Sequence, residues 1–113
     1  MISQGDIWLV DFGAPRGSEP AYRRPVVVVQ GDRLNRSKIS TVVVVPLTTN
    51  LKWARVGGNV LLRARRDLEQ ESVANVSQVA AVDRSSLLEN LARVSSDELD
   101  AIMAGIDFVL GQG

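Results

Sequence analysis

Two uninterrupted runs of valine, residues 26–29 and 42–45, limit what this chain can become. Valine is branched at Cβ and stiff at χ1, which crowds it in a helix and suits it to a pleated strand. A continuous apolar run without a polar alternate describes a strand buried on both faces. Two such strands joined by a modest connection suggest the centre of a small, closed or strongly curved sheet. Pro25 opens the first run and Pro46 ends the second. Proline lacks a ladder donor and biases the preceding residue toward extended backbone, so Arg24 has a better-fixed backbone than an ordinary loop arginine. On Arg23 and Arg24 alone, a solvated edge in front of a core strand explains the pair as well as a functional role does.

The remaining elements follow from local chemistry. Residues 6–12 form a first strand rich in aromatic and β-branched residues, with Trp8 in the core. Residues 13–22 hold two glycines and two prolines and make a long loop of the kind that often carries function. Residues 32–38 are a polar connection too short for a confident helix, and Leu47, Thr48, Thr49 and Asn50 leave the second valine strand as a polar turn. Lys52, Trp53 and Arg55 sit in a loop that ends in Gly57 and Gly58. Bases stack on aromatics and phosphates meet cations, so this composition suits single-stranded nucleic acid. Equally, Trp53 could cover a core edge. Residues 59–64 form a strand, and residues 72–82 another with one wet face, bent near Gln78. Asn75 and Ser77 on that face could read base edges or simply face water. A short last strand covers 91–94. Ser95 and Glu98 then form a capping box for a helix over 96–110, closed by Gly111. Leu99, Ile102, Met103, Ile106, Val109 and Leu110 make one apolar stripe that should pack on the sheet.

The 113 residues suffice for one domain, 1–113, and 45% hydrophobic residues for one core. With no cysteine and no histidine, zinc sites, disulfides, thiol nucleophiles and histidine acid–base pairs are excluded. The first residues lack a basic and an apolar segment, and no apolar run approaches the length of a membrane span, so a soluble cytoplasmic protein is expected. The net charge of zero conceals two unequal halves. Residues 1–66 hold 11 Lys and Arg against 4 Asp and Glu, a net +7, and residues 67–113 hold 2 against 9, a net −7. That asymmetry suggests a polyanion or acidic partner for the first half, unless the fold interleaves the halves.

The Gly-Asp-Ile-Trp of the first strand, Gly17-Ser18-Glu19 in the long loop, Arg24-Pro25 before the valines, Pro46-Leu47-Thr48-Thr49 and Gln78 together resemble the MazF/PemK/Kid toxins of type II toxin–antitoxin modules. The resemblance covers nearly the whole chain. It implies a mainly β fold, an α+β domain built as a small SH3-like antiparallel barrel with a C-terminal amphipathic helix. It also implies a homodimer, a MazE-like antitoxin, and ribosome-independent cleavage of single-stranded RNA (mRNA, rRNA or tRNA) with neither metal nor cofactor. By position, Arg24 and Thr48 match the catalytic residues, Gly17, Ser18 and Glu19 the loop beside them, and Gln78 a residue near bound RNA. Arg23, Thr49, Lys52, Trp53, Arg55 and Asn75 are further candidate RNA contacts. The loop from Lys52 to Arg55 and the Tyr22-Arg23 pair are not shared family features and should affect sequence preference only. Guanidinium offers a planar, permanently charged fork to phosphate, so Arg24 suits charge stabilisation better than base catalysis. Glu19 is a possible base, or a solvated loop acid. Two other readings of the same architecture stay open: a CcdB-like gyrase-binding toxin and a non-catalytic RNA-binding barrel.

Overall fold

The valine runs become two neighbouring strands at the middle of an antiparallel sheet. The computed structural model describes residues 1–14, 17 and 22–112. Strand β1 (Asp6–Asp11) lies between β2 (Arg23–Val28) and the late strand β7 (Leu87–Arg93). On its other side β2 pairs with β3 (Thr41–Thr48). The first half of β3 also pairs with β6 (Ala80–Asp83), and its end pairs with β5 (Ser72–Ala74), which in turn holds β4 (Val60–Leu62). The sheet curls as it changes partners, giving the half-closed barrel expected from the sequence.

Alternation along these strands builds two cores. Val26, Val28, Val42 and Val44 join Val10 on one face, flanked by Trp8, Phe12 and Leu87. Val27, Val29 and Val45 join Ile7, Leu47, Leu62 and Ile102 on the other. Each fully buried valine contributes about 1.5–3 kcal/mol relative to exposure, so the two runs supply much of the driving force. Trp8 is only partly buried, and its indole N–H donates to the Asp6 carboxylate at 3.3 Å.

Several boundaries differ from expectation. Strand β3 continues through Pro46 to Thr48. The proline is tolerated there because the β2–β3 pairing ends at Val26↔Pro46 and the strand then turns to β5. The single bent strand expected over 72–82 is broken into β5, a 3₁₀ turn at Val76–Gln78, and β6. That turn takes up the corner where β3 changes partner, and the Asn75 N–H donates to the Pro46 carbonyl at 2.9 Å. The last strand begins at Leu87, well before residue 91. A one-turn helix, α1 (Asp32–Asn35), and a 3₁₀ helix at Leu51–Arg55 occupy segments read as irregular.

Helix α2 (Ser96–Val109) starts where the capping box places it. Ser95 Oγ accepts from the Glu98 N–H at 3.1 Å, and Glu98 Oε1 accepts from the Ser95 N–H at 2.7 Å. Gly111 follows the helix with φ +75°. The predicted stripe holds only in part, since Ile102 is buried and Leu99 and Ile106 half-buried, while Met103, Val109 and Leu110 are exposed. The helix is rolled onto Gly105, which rests against the backbone of Gly58. Phe108 then packs beside Gly57 and Gly58.

The two charged halves are interleaved. Ion pairs Arg65–Glu98, Arg66–Asp67 and Arg93–Asp6 each join a residue of 1–66 to one of 67–113. Arg65 holds Glu98 through both guanidinium amines at 2.5 and 2.7 Å, and this bidentate contact pulls the Glu98 pKa down to about 2. No helix among the described residues is long and apolar enough to cross a membrane.

Candidate active site

The β2–β3 ladder runs from Val28↔Val44 to Val26↔Pro46. Arg24 and Thr48 each lie two residues beyond that last pair, where the strands part. Side chains alternate faces with a period of two, so both share the face of Val26 and Val44. Val10, opposite Arg24 in β1, belongs to that same face. Arg24 is half-buried and Arg23 exposed. Thr48 Oγ1 accepts a hydrogen bond from the Asn50 N–H at 3.2 Å. With that acceptor role filled, the hydroxyl proton is available to a ligand. A guanidinium and a hydroxyl donor on one face of adjoining strand ends can address a single phosphate.

Asn75 and Gln78 approach β3 from its other side. Asn75 bonds to Pro46 as described, and the Gln78 N–H donates to the Asn75 carbonyl at 3.0 Å, closing the 3₁₀ turn. The Ser77 hydroxyl donates to Asn75 Oδ1 at 3.1 Å. Next to them stands the 3₁₀ helix carrying Lys52, Trp53 and Arg55, all exposed. Asn59 fixes it there: its Nδ2 donates to the Trp53 carbonyl at 3.0 Å, and its Oδ1 accepts from the Val76 N–H at 3.0 Å. The indole of Trp53 remains 41% exposed, open enough to stack a base.

The long loop is pinned at its neck. Phe12 N–H donates to the Tyr22 carbonyl at 2.8 Å, Tyr22 N–H to the Gly13 carbonyl at 2.6 Å, and Gly13 N–H to Asp11 Oδ1 at 2.8 Å. Gly17 is exposed with φ +59°, while Ser18 and Glu19 lie outside the described residues. Tyr22 adopts φ +57°, unusual for a bulky residue and costly unless its surroundings enforce it. The structure therefore gathers Arg24, Thr48, Asn75 and Gln78 around the end of β3, with Arg23 and the 51–55 helix at the margins. Thr49 is set apart, because it points to the opposite face, into a cavity of about 280 Å³ whose apolar lining is Leu9, Pro25, Leu68 and Leu91.

A family model described as the PemK-like, MazF-like toxin of type II toxin–antitoxin systems matches residues 3–110. The chain belongs to this toxin family. The toxin is 35% identical over 111 residues to Endoribonuclease MazF6 of Mycobacterium tuberculosis, covering 97% of each chain. It is 30% identical over 112 residues to Endoribonuclease MazF of Staphylococcus saprophyticus, covering 98% of this chain and 92% of that one. In fold it is similar to MazF from Deinococcus radiodurans, with a TM-score of 0.81, 22% identity, and 97% and 96% of the two chains covered. A mycobacterial endoribonuclease solved in complex with its cognate antitoxin gives 0.80 at 19% identity, covering 100% of this chain and 98% of that one. These relatives favour the endoribonuclease reading of the barrel over the gyrase-binding one.

Three features of the toxin's site escaped the sequence. Asn59 joins the Trp53 carbonyl, 6 residues before it, to the Val76 N–H, 17 residues after it, and its only sequence signal is an amide placed directly after Gly57-Gly58. Tyr22 gives no hint of its left-handed backbone. The cavity beneath Thr49 is assembled from five separate stretches, which no local pattern announces.

Proposed function

We propose that this chain, as one domain over 1–113, is a cytoplasmic toxin endoribonuclease that cuts single-stranded RNA by attack of the substrate's own 2′-OH. The observation that carries the chemistry is the shared face of Arg24 and Thr48 at the parting of β2 and β3. In the step, the 2′-oxygen bonds to phosphorus as its proton leaves, and the P–O5′ bond breaks. The departing oxygen takes up a proton, leaving a 2′,3′-cyclic phosphate and a 5′-OH. Arg24 neutralises the charge that accumulates on the phosphorane, and it does so best where donors are fixed in advance. The Thr48 hydroxyl donates to the same group or relays the proton to O5′. Arg23, Lys52 and Arg55 would attract the backbone, Trp53 a base, and Asn75 with Gln78 the base edges. Glu19, which the family resemblance matches to the loop beside the active site, is a candidate to receive the 2′-OH proton.

The toxin is read as a homodimer, and the exposed apolar end of α2, with Phe108 at 60% and Leu110 at 62%, supports a further buried surface. A MazE-like antitoxin would silence it by laying an acidic segment over the Arg24 face, as folding-on-binding segments do. The deciding experiment incubates purified toxin with a long single-stranded RNA in EDTA and sequences the fragment ends. Discrete cuts bearing cyclic phosphate are expected. Arg24→Lys should lose about 10²-fold or more, since it keeps the charge without the fork. One deoxynucleotide at the cut site should block cutting and spare binding. Cutting of that deoxy substrate at the normal rate would overturn the mechanism.

A further inference from the structure

The cavity beneath Thr49 has the size and the chemistry of a site for one nucleobase. At about 280 Å³ it falls just below the roughly 300–1,000 Å³ typical of pockets for whole drug-sized ligands. Its apolar lining is Leu9, Pro25, Leu68 and Leu91, and its polar lining is Thr49, Asp67, Glu69, Gln70 and Ser72. Pro25 and Thr49 line it directly, and each is the chain neighbour of a residue assigned to phosphate. Because alternate residues of a strand face opposite ways, Arg24 and Thr48 present one face of the strand ends while Pro25 and Thr49 present the other. An RNA wrapping these strand ends would meet phosphate chemistry on one face and an apolar recess on the other, the two faces being presented by residues adjacent in the chain.

The Asp67 side of this lining is held in place. Asp67 sits at the tip of a tight turn closed by Arg65 and Leu68, which exchange backbone hydrogen bonds at 2.8 and 2.7 Å. The Asp67 N–H donates to the Leu91 carbonyl at 3.1 Å, tying the tip to β7 over the cavity. Arg66 in that turn takes φ +38°, a strained backbone for arginine. The Asp67 side chain is 58% exposed, and its contact with Arg66 spans 3.8 Å between two open side chains, so its oxygens can serve a ligand.

Carboxylates beside a polyanion repel phosphate and accept from amines. We propose that this recess takes a base with an exocyclic amine (adenine, cytosine or guanine) in preference to uracil, at the nucleotide beside the scissile phosphate. The idea rests on the RNA-cutting reading of the Arg24 face. Asp67 and Glu69 accept from the amine, the leucines and Pro25 cover the ring, and repulsion turns the backbone outward toward Arg24. Uracil has no exocyclic amine and offers the carboxylates only its N3–H, while Thr49 and Gln70 can donate to its carbonyls, so uracil is the weaker ligand and is not shut out.

The test measures binding of uridine hexamers carrying a single A, C or G against all-uridine, alongside cleavage of long RNA by the same protein. At least one amine base should tighten binding by about 5- to 100-fold, the range of one well-placed polar contact to a base. In a double Asp67→Asn, Glu69→Gln variant, whose amides can donate to uracil O4, that preference should fall below about 2-fold with the fold intact by circular dichroism. Equal binding of all four hexamers, or a preference that survives the double variant, would overturn the pocket. Cleavage with no preference sinks the pocket alone. A preference without cleavage sinks the nuclease reading alone.

Discussion

Substituting Gly105 by alanine sets two effects against each other, and the structure decides their sign. Alanine in a helix interior is favoured over glycine by about 0.5–1 kcal/mol. Here, however, a Cβ on Gly105 would lie 2.0 Å from the Gly58 carbonyl oxygen and 3.0 Å from its carbon, where ordinary contact needs at least about 3.4 Å. Both sides of the clash are backbone, so no rotamer relieves it. Helix α2 must lift by more than about 1 Å, loosening buried Ile102 and the Phe108 contact with the Gly57–Gly58 turn. Overpacking of this kind typically costs 1–3 kcal/mol, and a backbone-on-backbone clash belongs at the upper end. The net expectation for Gly105→Ala is a loss of about 2–2.5 kcal/mol, or a melting temperature lower by roughly 8–12 °C. Ala101→Gly, at an exposed position of the same helix, is the control and should lose only the propensity difference of about 0.5–1 kcal/mol. Thermal melts followed by circular dichroism report both. A Gly105→Ala protein melting at or above the parent would mean that α2 does not rest on Gly58.

Glu98 has a folded pKa of about 2 against an ordinary 4.5, chiefly through Arg65, so it binds its proton less readily folded than unfolded. Its stabilisation should be complete above about pH 4.5 and drain away as pH falls toward 2. At about 1.4 kcal/mol per pH unit the ceiling is about 3 kcal/mol, reduced somewhat because the carboxylate is partly exposed. Urea melts from pH 6 to 3 should therefore converge between the parent and Glu98→Gln, which retains an acceptor for the Ser95 N–H; parallel curves would refute the assignment. Asp32, lowered by the Gln4 N–H and Asn35, titrates in the same direction and is common to both proteins. Asn59→Ala strands the Val76 N–H and releases the Trp53 segment. It should cost about 1–3 kcal/mol of stability and weaken RNA binding while leaving the cutting rate at saturating RNA within a few-fold, as measured by single-turnover kinetics.

Where sequence reading succeeded, one local rule sufficed. Valine stiffness identifies the central strands, and Ser95 with Glu98 marks the start of α2 to the residue. It failed where a partner remote in sequence decides. Pro46 looks like a strand end, yet lies inside β3 because the strand changes neighbours there. Gln78 looks like a bend within one strand, yet ends a 3₁₀ turn that the corner of β3 demands. Met103 and Leu110 fit a buried stripe by spacing, but close approach at Gly105 rolls the helix away from them. The site shows the same division. The fixed backbone of Arg24 was legible from Pro25 and the valines, and Thr48 was singled out only by the family resemblance, whereas the opposite facing of Thr49 required the register of the folded sheet.

The place of β7 in the sheet governs when this toxin can exist at all. Its partner β1 covers residues 6–11, while β7 covers 87–93, and Arg93 reaches back to the buried Asp6 carboxylate at 2.8 Å. Chains emerge from the ribosome N-terminus first, and pairings between distant segments must wait for the later one. A half-made chain therefore carries an unclosed sheet, with β1 missing one neighbour and Asp6 missing its Arg93 ion pair. Activity is expected only once the last strand has been released, and prematurely terminated products should be inactive and readily proteolysed.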